Sequence, residues 1–256
     1  MSRVFIDIET VPAQSGPNSF EAFLRREVEG FSAPSNLSKS VACFDLRLTQ
    51  DEAKSLSKDD AIKLWVERLA EERAPAMAEE KWRKTSFDGA SGEIISVAWA
   101  VEGGEIKSIS RHLGQPEAAL LADFFNALSL ELGHKTPYFI GQYLAGFDLK
   151  FIFHRSVILG VKPLFDLPFN GRHKSDYFCT QAAWAGYGGR MSQDNMCKAL
   201  GIEGKPGDID GSQVWDFVRA GDVARVEEYN RDDVDKVRKI FNRLTFQCDS
   251  PGSAAE

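Results

Sequence analysis

Two carboxylates share one face of the first apolar segment of the chain. Asp7 and Glu9 interrupt the run Val-Phe-Ile-Asp-Ile-Glu-Thr that starts at Val4, and alternate residues of a strand point to the same side. Folding alone gives no reason to place two like charges there, because charged groups on an apolar strand must be hydrated or compensated. A divalent cation would compensate both charges. A strand with a solvated polar edge is the alternative.

A third carboxylate is predicted to face the core from the last helix. Between Asp222 and Leu244 apolar residues recur at helical spacing, and Asp233 falls near the centre of their stripe. Tyr229 lies one turn earlier on the same side, whereas Asp232 and Asp235 are predicted to rotate toward solvent. Asp233 therefore joins either a metal site or an ion pair with a buried arginine.

A fourth carboxylate, Asp148, falls at the start of a predicted helix that follows a strand ending near Gly141. An aspartate at a helix start can cap the helix or provide a favourable charge in its first turn. It can also be a metal ligand. Its position alone is compatible with each role.

The remaining elements predict an α/β fold in which three consecutive strands lie together. Residues 93–101 and 105–112 read as a hairpin that turns at Gly103-Gly104. A helix is predicted between Pro116 and Gly133. The elements predicted after it are a strand at 138–141, a helix at 147–159, a strand near 174–178, helices at 192–200 and after Ser212, and the last helix.

The segment between the first strand and the hairpin, residues 13–88, is predicted to be a large insertion of uncertain role. Its first part is rich in Ser, Pro and Asn, and Asp59 to Arg73 reads as an amphipathic helix. The insertion either covers the active-site cleft or packs against the sheet edge without a catalytic duty.

The order of the acidic motifs resembles the DEDD family of 3′-5′ exonucleases. These motifs are Asp-x-Glu on the first strand, Phe-Asp at the mid-chain helix start, and Tyr-x-x-x-Asp on the late helix; Tyr229 indicates the tyrosine subgroup. The run Lys-Ala-Leu-Gly-Ile-Glu-Gly-Lys from Lys198, followed by Asp-Gly-Ser-Gln-Val from Asp210, is similar to a bacterial and phage group related to the proofreading domain of family B DNA polymerases. The resemblance covers residues 1 to about 12 and about 93 to 244. One departure is Tyr143, where the family often has Asn.

The resemblance implies a ribonuclease H-like mixed sheet flanked by helices, with the large insertion after the first strand. A single exonuclease domain is expected over residues 1–246, followed by a loose tail over 247–256. The implied activity is metal-dependent hydrolysis of phosphodiester bonds from a 3′ end, with two Mg2+ or Mn2+ ions as cofactors.

The resemblance also implies roles for individual residues. Asp7 would bridge both ions, Glu9 and Asp233 would hold the ion nearer the nucleophile, and Asp148 would help to hold the other. Tyr229 would orient the attacking water, because a phenol with an ordinary pKa of about 10 is a poor general base at neutral pH. The expected substrate contacts are Thr10, Gln142, Phe147 and Lys205. Phe147 in the core and Lys205 as a solvated loop lysine are the alternatives.

The composition of the chain limits the kinds of nucleic-acid binding that can be expected of it. The net charge of −7 argues against a protein that coats DNA through a basic surface and favours an enzyme that grips a strand end locally. Single-stranded DNA is the favoured substrate, and RNA is the nearest alternative. The alternative of another class is a non-catalytic subunit that docks a replication or repair protein.

Four scattered cysteines without a C-x-x-C pair disfavour zinc and disulfide frameworks. No apolar run is long enough to span a membrane, and a cytoplasmic location is expected.

Overall fold

The structure is a computed structural model that describes residues 1–170, 176–186, 188–202 and 209–247. The chain divides into two compact units. Met1–Val11 and Phe87–Glu256 form one unit, which we call the sheet unit, and Pro12–Ser86 form the other, the insertion unit. A single domain with an insertion stays a prediction.

In the part of the chain that the structure describes, the sheet unit contains five strands in the order β3-β2-β1-β4-β5. The strands are β1 (Ser2–Val11), β2 (Glu93–Val101), β3 (Lys107–Ser110), β4 (Pro137–Gly141) and β5 (Tyr177–Cys179). Strand β1 runs antiparallel to β2 and parallel to β4, so the sheet is mixed. The predicted α/β fold with a mixed sheet flanked by helices is confirmed, and it is consistent with a ribonuclease H-like exonuclease.

The central strand β1 sends alternate side chains to opposite faces of the sheet. Val4, Ile6 and Ile8 pack in the largest apolar cluster, which contains residues of helices α5 (Glu117–Leu132) and α6 (Asp148–Leu159). Phe5 packs on the other face against helix α10 (Val223–Leu244). Because alternate residues share a face, Asp7 and Glu9 are on the side of α10.

Local signals set the ends of these helices as predicted. Pro116 precedes α5, and Gly133 ends it with a φ of 57°. Gly160 ends α6 in the left-handed conformation that glycine adopts without a steric penalty. Asp222 caps α10 by accepting a hydrogen bond from the backbone of Arg225. The structure also contains α8 (Gln193–Leu200), α9 (Val214–Arg219) and the unpredicted α7 (Thr180–Ala185).

The short strands differ from their predicted ranges. The second hairpin strand, expected over residues 105–112, is confined to Lys107–Ser110, and β5 begins at Tyr177. Lys174, where β5 was expected to begin, lies outside the described residues. The predicted C-terminal tail lies outside them too, apart from Gln247.

The insertion unit is helical. Its helices are α1 (Phe20–Gly30), α2 (Lys39–Asp45), α3 (Gln50–Ser55) and α4 (Lys58–Arg83), and its apolar cluster includes Leu37, Trp65 and Leu69. The predicted end of α4 at Arg73 is wrong, because the helix continues through Pro75 to Arg83. Ala74, Ala78 and Trp82 are buried at intervals of four residues, so packing of this face outweighs the helix-breaking preference of proline.

The helices α1 to α3 were not predicted, although their start signals are present in the sequence. Ser19, Ser38 and Thr49 each accept a hydrogen bond from a backbone N–H in the first turn of the helix that follows. Thr49 and Glu52 form a complete capping box. Within the residues that the structure describes, no helix has the length and apolar character to cross a membrane.

Candidate metal centre

Three of the four carboxylates meet between β1 and α10. Carboxylate oxygens of Asp7, Glu9 and Asp233 all lie within 4.8 Å of one another. Asp233 is 7% exposed and Glu9 is 9% exposed. A group of hard oxygen ligands at this spacing suits a divalent cation such as Mg2+ or Mn2+.

The apolar pattern of the two elements produces this convergence. Val234, Val237 and Phe241 anchor α10 on the sheet face that also carries Phe5. The helix therefore turns Asp233 toward the strand face of the two β1 carboxylates. The β1–β2 register shifts between Glu9 and Thr10, because Glu9 pairs with Ser96 and Thr10 with Ile94; such irregularities redirect side chains and are frequent beside functional sites.

Asp148 reaches the same strand from α6. Its Oδ1 accepts a hydrogen bond of 3.2 Å from the backbone N–H of Ile8, the residue between Asp7 and Glu9. Asp148 is 2% exposed. It is the first residue of α6, and Phe147 is the capping residue. The carboxylate of Asp148 is thus directed to β1, where its charge acts on Asp7.

Burial and mutual repulsion make these carboxylates hard to ionise. Removal from water, followed by the charges of neighbouring carboxylates, raises the pKa of Asp7 and of Glu9 well above ordinary values. Burial raises the pKa of Asp148 to about 7, although its backbone hydrogen bonds oppose the shift. Burial also raises the pKa of Asp233, against the lowering effect of Lys236. Bound cations would offset this repulsion, so the residues present fit a metal site.

Two polar residues orient Asp7, and the sequence patterns did not reveal them. Asn230 Nδ2 donates a hydrogen bond of 2.7 Å to Asp7 Oδ2, and Ser96 Oγ donates one of 2.9 Å to Asn230 Oδ1. Asn230 and Ser96 are both fully buried. The available signal was spacing, because Asn230 lies one turn before Asp233 on the inward face of α10.

Lys236 provides a positive charge at the edge of the cluster. Its ammonium group lies 3.0 Å from Asp233 Oδ1 and 3.0 Å from Asp232 Oδ2, and the residue is 7% exposed. One prediction is wrong. Asp232 does not rotate into solvent, because its side chain is 12% exposed and paired with Lys236. In the ion pair that Asp233 forms, the partner is a lysine of the same helix, whereas the alternative considered from the sequence was an arginine.

Tyr229 borders the cluster from α10. It packs against the apolar group that contains Val11 and Ile95, and its hydroxyl interacts with the Asp233 carboxylate. Burial, followed by the negative charges of Asp233 and Glu9, raises its pKa. The phenol therefore stays neutral at physiological pH and can donate a hydrogen bond.

The four residues predicted to contact substrate have different surroundings. Thr10 follows the register shift between β1 and β2. Gln142 is engaged within the protein, because its Nε2 donates a 2.7 Å hydrogen bond to the carbonyl of Met191 and its Oε1 accepts one from Thr180. Phe147 is partly buried against the largest apolar cluster. Lys205 lies outside the described residues. Substrate contacts by these four residues stay predictions.

The chain matches one family model over most of the sheet unit. The family is described as a predicted 3′-5′ exonuclease related to the exonuclease domain of PolB, and the match spans residues 92–248. Asp148, Tyr229 and Asp233 fall inside this range, whereas Asp7 and Glu9 precede it. No curated protein matches the chain.

Proposed function

Because the chain belongs to the family of predicted 3′-5′ exonucleases related to the exonuclease domain of PolB, we propose that it removes nucleotides from the 3′ end of single-stranded nucleic acid, with DNA favoured over RNA. The convergence of Asp7, Glu9 and Asp233 carries the proposal. Nothing in the packing of an α/β fold requires three carboxylates to converge at one place, whereas metal-assisted phosphodiester hydrolysis needs such ligands to hold its cations.

The proposed metal ligands are Asp7, Glu9, Asp148 and Asp233. When bound there, two Mg2+ or Mn2+ ions would activate the attacking water and neutralise the charge that develops on the phosphate. The protein holds the ligands in place beforehand. Asn230 fixes one oxygen of Asp7, and the backbone of Ile8 fixes one oxygen of Asp148.

Tyr229 has the role of a positioning group in this proposal. Its raised pKa keeps the hydroxyl protonated, so it orients the attacking water by hydrogen bonding and does not remove a proton from it. This proposed role is the one that the tyrosine subgroup implies for Tyr229.

The choice of DNA depends on contacts to the sugar. An exoribonuclease with the same carboxylates is the second candidate, because recognition of the 2′-hydroxyl distinguishes the two substrates. A non-catalytic nucleic-acid-processing subunit is the third, and the filled acidic positions argue against it. A cytoplasmic location and a replication or repair protein as partner stay predictions from the sequence.

A 5′-labelled strand tests the function. Purified protein is incubated with matched single-stranded DNA and RNA in Mn2+, Mg2+ or EDTA, beside Asp7→Asn and a strand with a blocked 3′ end. We expect a ladder that shortens from the 3′ end and is lost with EDTA, with the block and with the substitution. Strands that stay intact in both metals would refute the exonuclease assignment, and a faster ladder on RNA would reverse the proposed substrate.

A further inference from the structure

Tyr143 has a backbone conformation that is uncommon for a bulky residue. Its φ is +52°, in the left-handed region that glycine, asparagine and aspartate occupy more readily. The tyrosine is also 51% exposed. Neither core packing nor backbone preference therefore accounts for an aromatic residue at this position.

The turn that follows holds the tyrosine ring in place. The carbonyl of Tyr143 accepts hydrogen bonds of 3.0 Å from the backbone N–H groups of Gly146 and Phe147. The ring lies against Gly146 so closely that a Cβ on this glycine would be 2.3 Å from Tyr143 Cζ. Part of the ring thus packs directly against the backbone of Gly146, and the rest of the ring is exposed to solvent. The packed part holds the exposed part in a fixed position.

This turn lies beside the carboxylate cluster. Before the turn, Gly141 is packed on β1 so tightly that an added Cβ would lie 3.0 Å from the carbonyl oxygen of Ile6. After the turn, Asp148 accepts the hydrogen bond from the N–H of Ile8. Both ends of the segment 141–148 are thus attached to β1 at the residues on either side of Asp7.

We propose that Tyr143 is a stacking platform for one base of the nucleic acid strand whose 3′ end occupies the carboxylate cluster. The inference rests on the proposed function and adds a substrate contact to it. An aromatic ring suits this role because every base has a π-face, so the strand is held without a sequence requirement. The net charge of −7 contributes little electrostatic attraction for the phosphate backbone. A local stacking contact would therefore supply a larger share of the binding free energy.

The test combines three variants with substrates that lack single bases. Tyr143→Asn suits the left-handed backbone but removes the ring, Tyr143→Phe keeps the ring face, and Phe246→Asn is the matched control. Phe246 is also aromatic, has a φ of +56° and is 93% exposed. It follows the end of α10 at Leu244, and 11 residues of helix, about 16 Å, separate Leu244 from Asp233. Each protein is assayed in Mn2+ on oligothymidylates with one abasic nucleotide at successive positions from the 3′ end.

In the parent, removal of the base at one position should lower kcat/KM by about 5- to 150-fold, the value of one stacked base. On the intact strand, the kcat/KM of Tyr143→Asn should be lower than that of the parent by a similar factor, mainly because KM rises. Removal of the same base should then lower the kcat/KM of Tyr143→Asn only slightly further. Tyr143→Phe and Phe246→Asn should behave as the parent does. The Mn2+-induced rise in Tm should be the same for all four proteins, because the carboxylates are unchanged.

Two results separate this inference from the function on which it rests. If the parent shortens the strand while Tyr143→Asn keeps the parent's kcat/KM and abasic profile, the stacking platform is refuted and the exonuclease stands. If the parent does not shorten any strand, the proposed function fails. In that case, the affinities of the parent and of Tyr143→Asn for labelled oligothymidylates are measured by fluorescence anisotropy. Equal affinities would refute the stacking contact.

Discussion

Lys236→Met tests whether the buried lysine compensates the charge of the carboxylate cluster. Methionine keeps much of the length and apolar volume of the side chain but removes the ammonium group. That group lies 3.0 Å from oxygens of both Asp232 and Asp233, and 3.8 Å from Asp194. The substitution thus removes this counter-ion from the largely buried carboxylates of Asp232 and Asp233.

The size of the effect follows from the burial of the pair. Loss of one partner of a buried ion pair costs about 3–5 kcal/mol, because an uncompensated charge remains. With roughly 2–4 °C per kcal/mol for a chain of this size, the metal-free Tm should fall by about 6–20 °C. Part of the cost is avoided if a carboxylate takes up a proton, so the loss should be larger at pH 8 than at pH 5.

Divalent cations should offset part of the loss. A ligand that binds the folded state alone at 100 times its Kd adds about 2.7 kcal/mol of stability. The released oxygen of Asp233 should strengthen this binding, so Mn2+ should raise the Tm of Lys236→Met by more than it raises the Tm of the parent. The assay is thermal unfolding followed by circular dichroism, in EDTA and over a Mn2+ titration.

Lys239→Met is the matched control. Lys239 lies 2.7 Å from Asp235 on the same helix, but its side chain is 49% exposed, and an exposed pair contributes about 0–1 kcal/mol. The reasoning is refuted if Lys236→Met and Lys239→Met have the same metal-free Tm and the same response to Mn2+.

Three further predictions follow from the site. Asn230→Leu should weaken Mn2+ affinity or kcat by about 10- to 100-fold, because Asp7 loses its orienting hydrogen bond; calorimetry and steady-state kinetics measure this, and unchanged values in both would contradict it. Tyr229→Phe should lower kcat with little change in KM, since the hydroxyl acts on the attacking water; a rise in KM alone would contradict that role. The third concerns pH. Burial raises the folded-state pKa of Asp148 from 3.8 to about 7, so its contribution to stability is present below about pH 4 and is lost as pH rises to about 7. In EDTA, urea unfolding should therefore give a lower free energy of unfolding at pH 7.5 than at pH 5; a higher value at pH 7.5 would show that the cluster does not control the pH dependence.

Local patterns were sufficient to predict most elements of the sheet unit and the directions of Asp7, Glu9 and Asp233. Alternation along β1 placed Asp7 and Glu9 on one face, and the helical period of α10 placed Asp233 on its buried side. Caps and turns set the ends of α5 and α6 within one residue. These features depend on neighbours within a few positions, so they can be read along the chain.

Tertiary packing decided the features that join distant parts of the chain. The hydrogen bond from Ile8 to Asp148 and that from Asn230 to Asp7 connect residues 140 and 223 positions apart, and no local period encodes such pairs. Packing also overrode local preference, since α4 continues through Pro75 and Tyr143 adopts a positive φ. The sequence by itself determined the shared face of Asp7 and Glu9 and the inward direction of Asp233, although it wrongly turned Asp232 toward solvent. Only the tertiary structure decided which polar groups orient these carboxylates. It also decided that Lys236 compensates part of their negative charge, because burial and charge compensation depend on elements far apart in the chain.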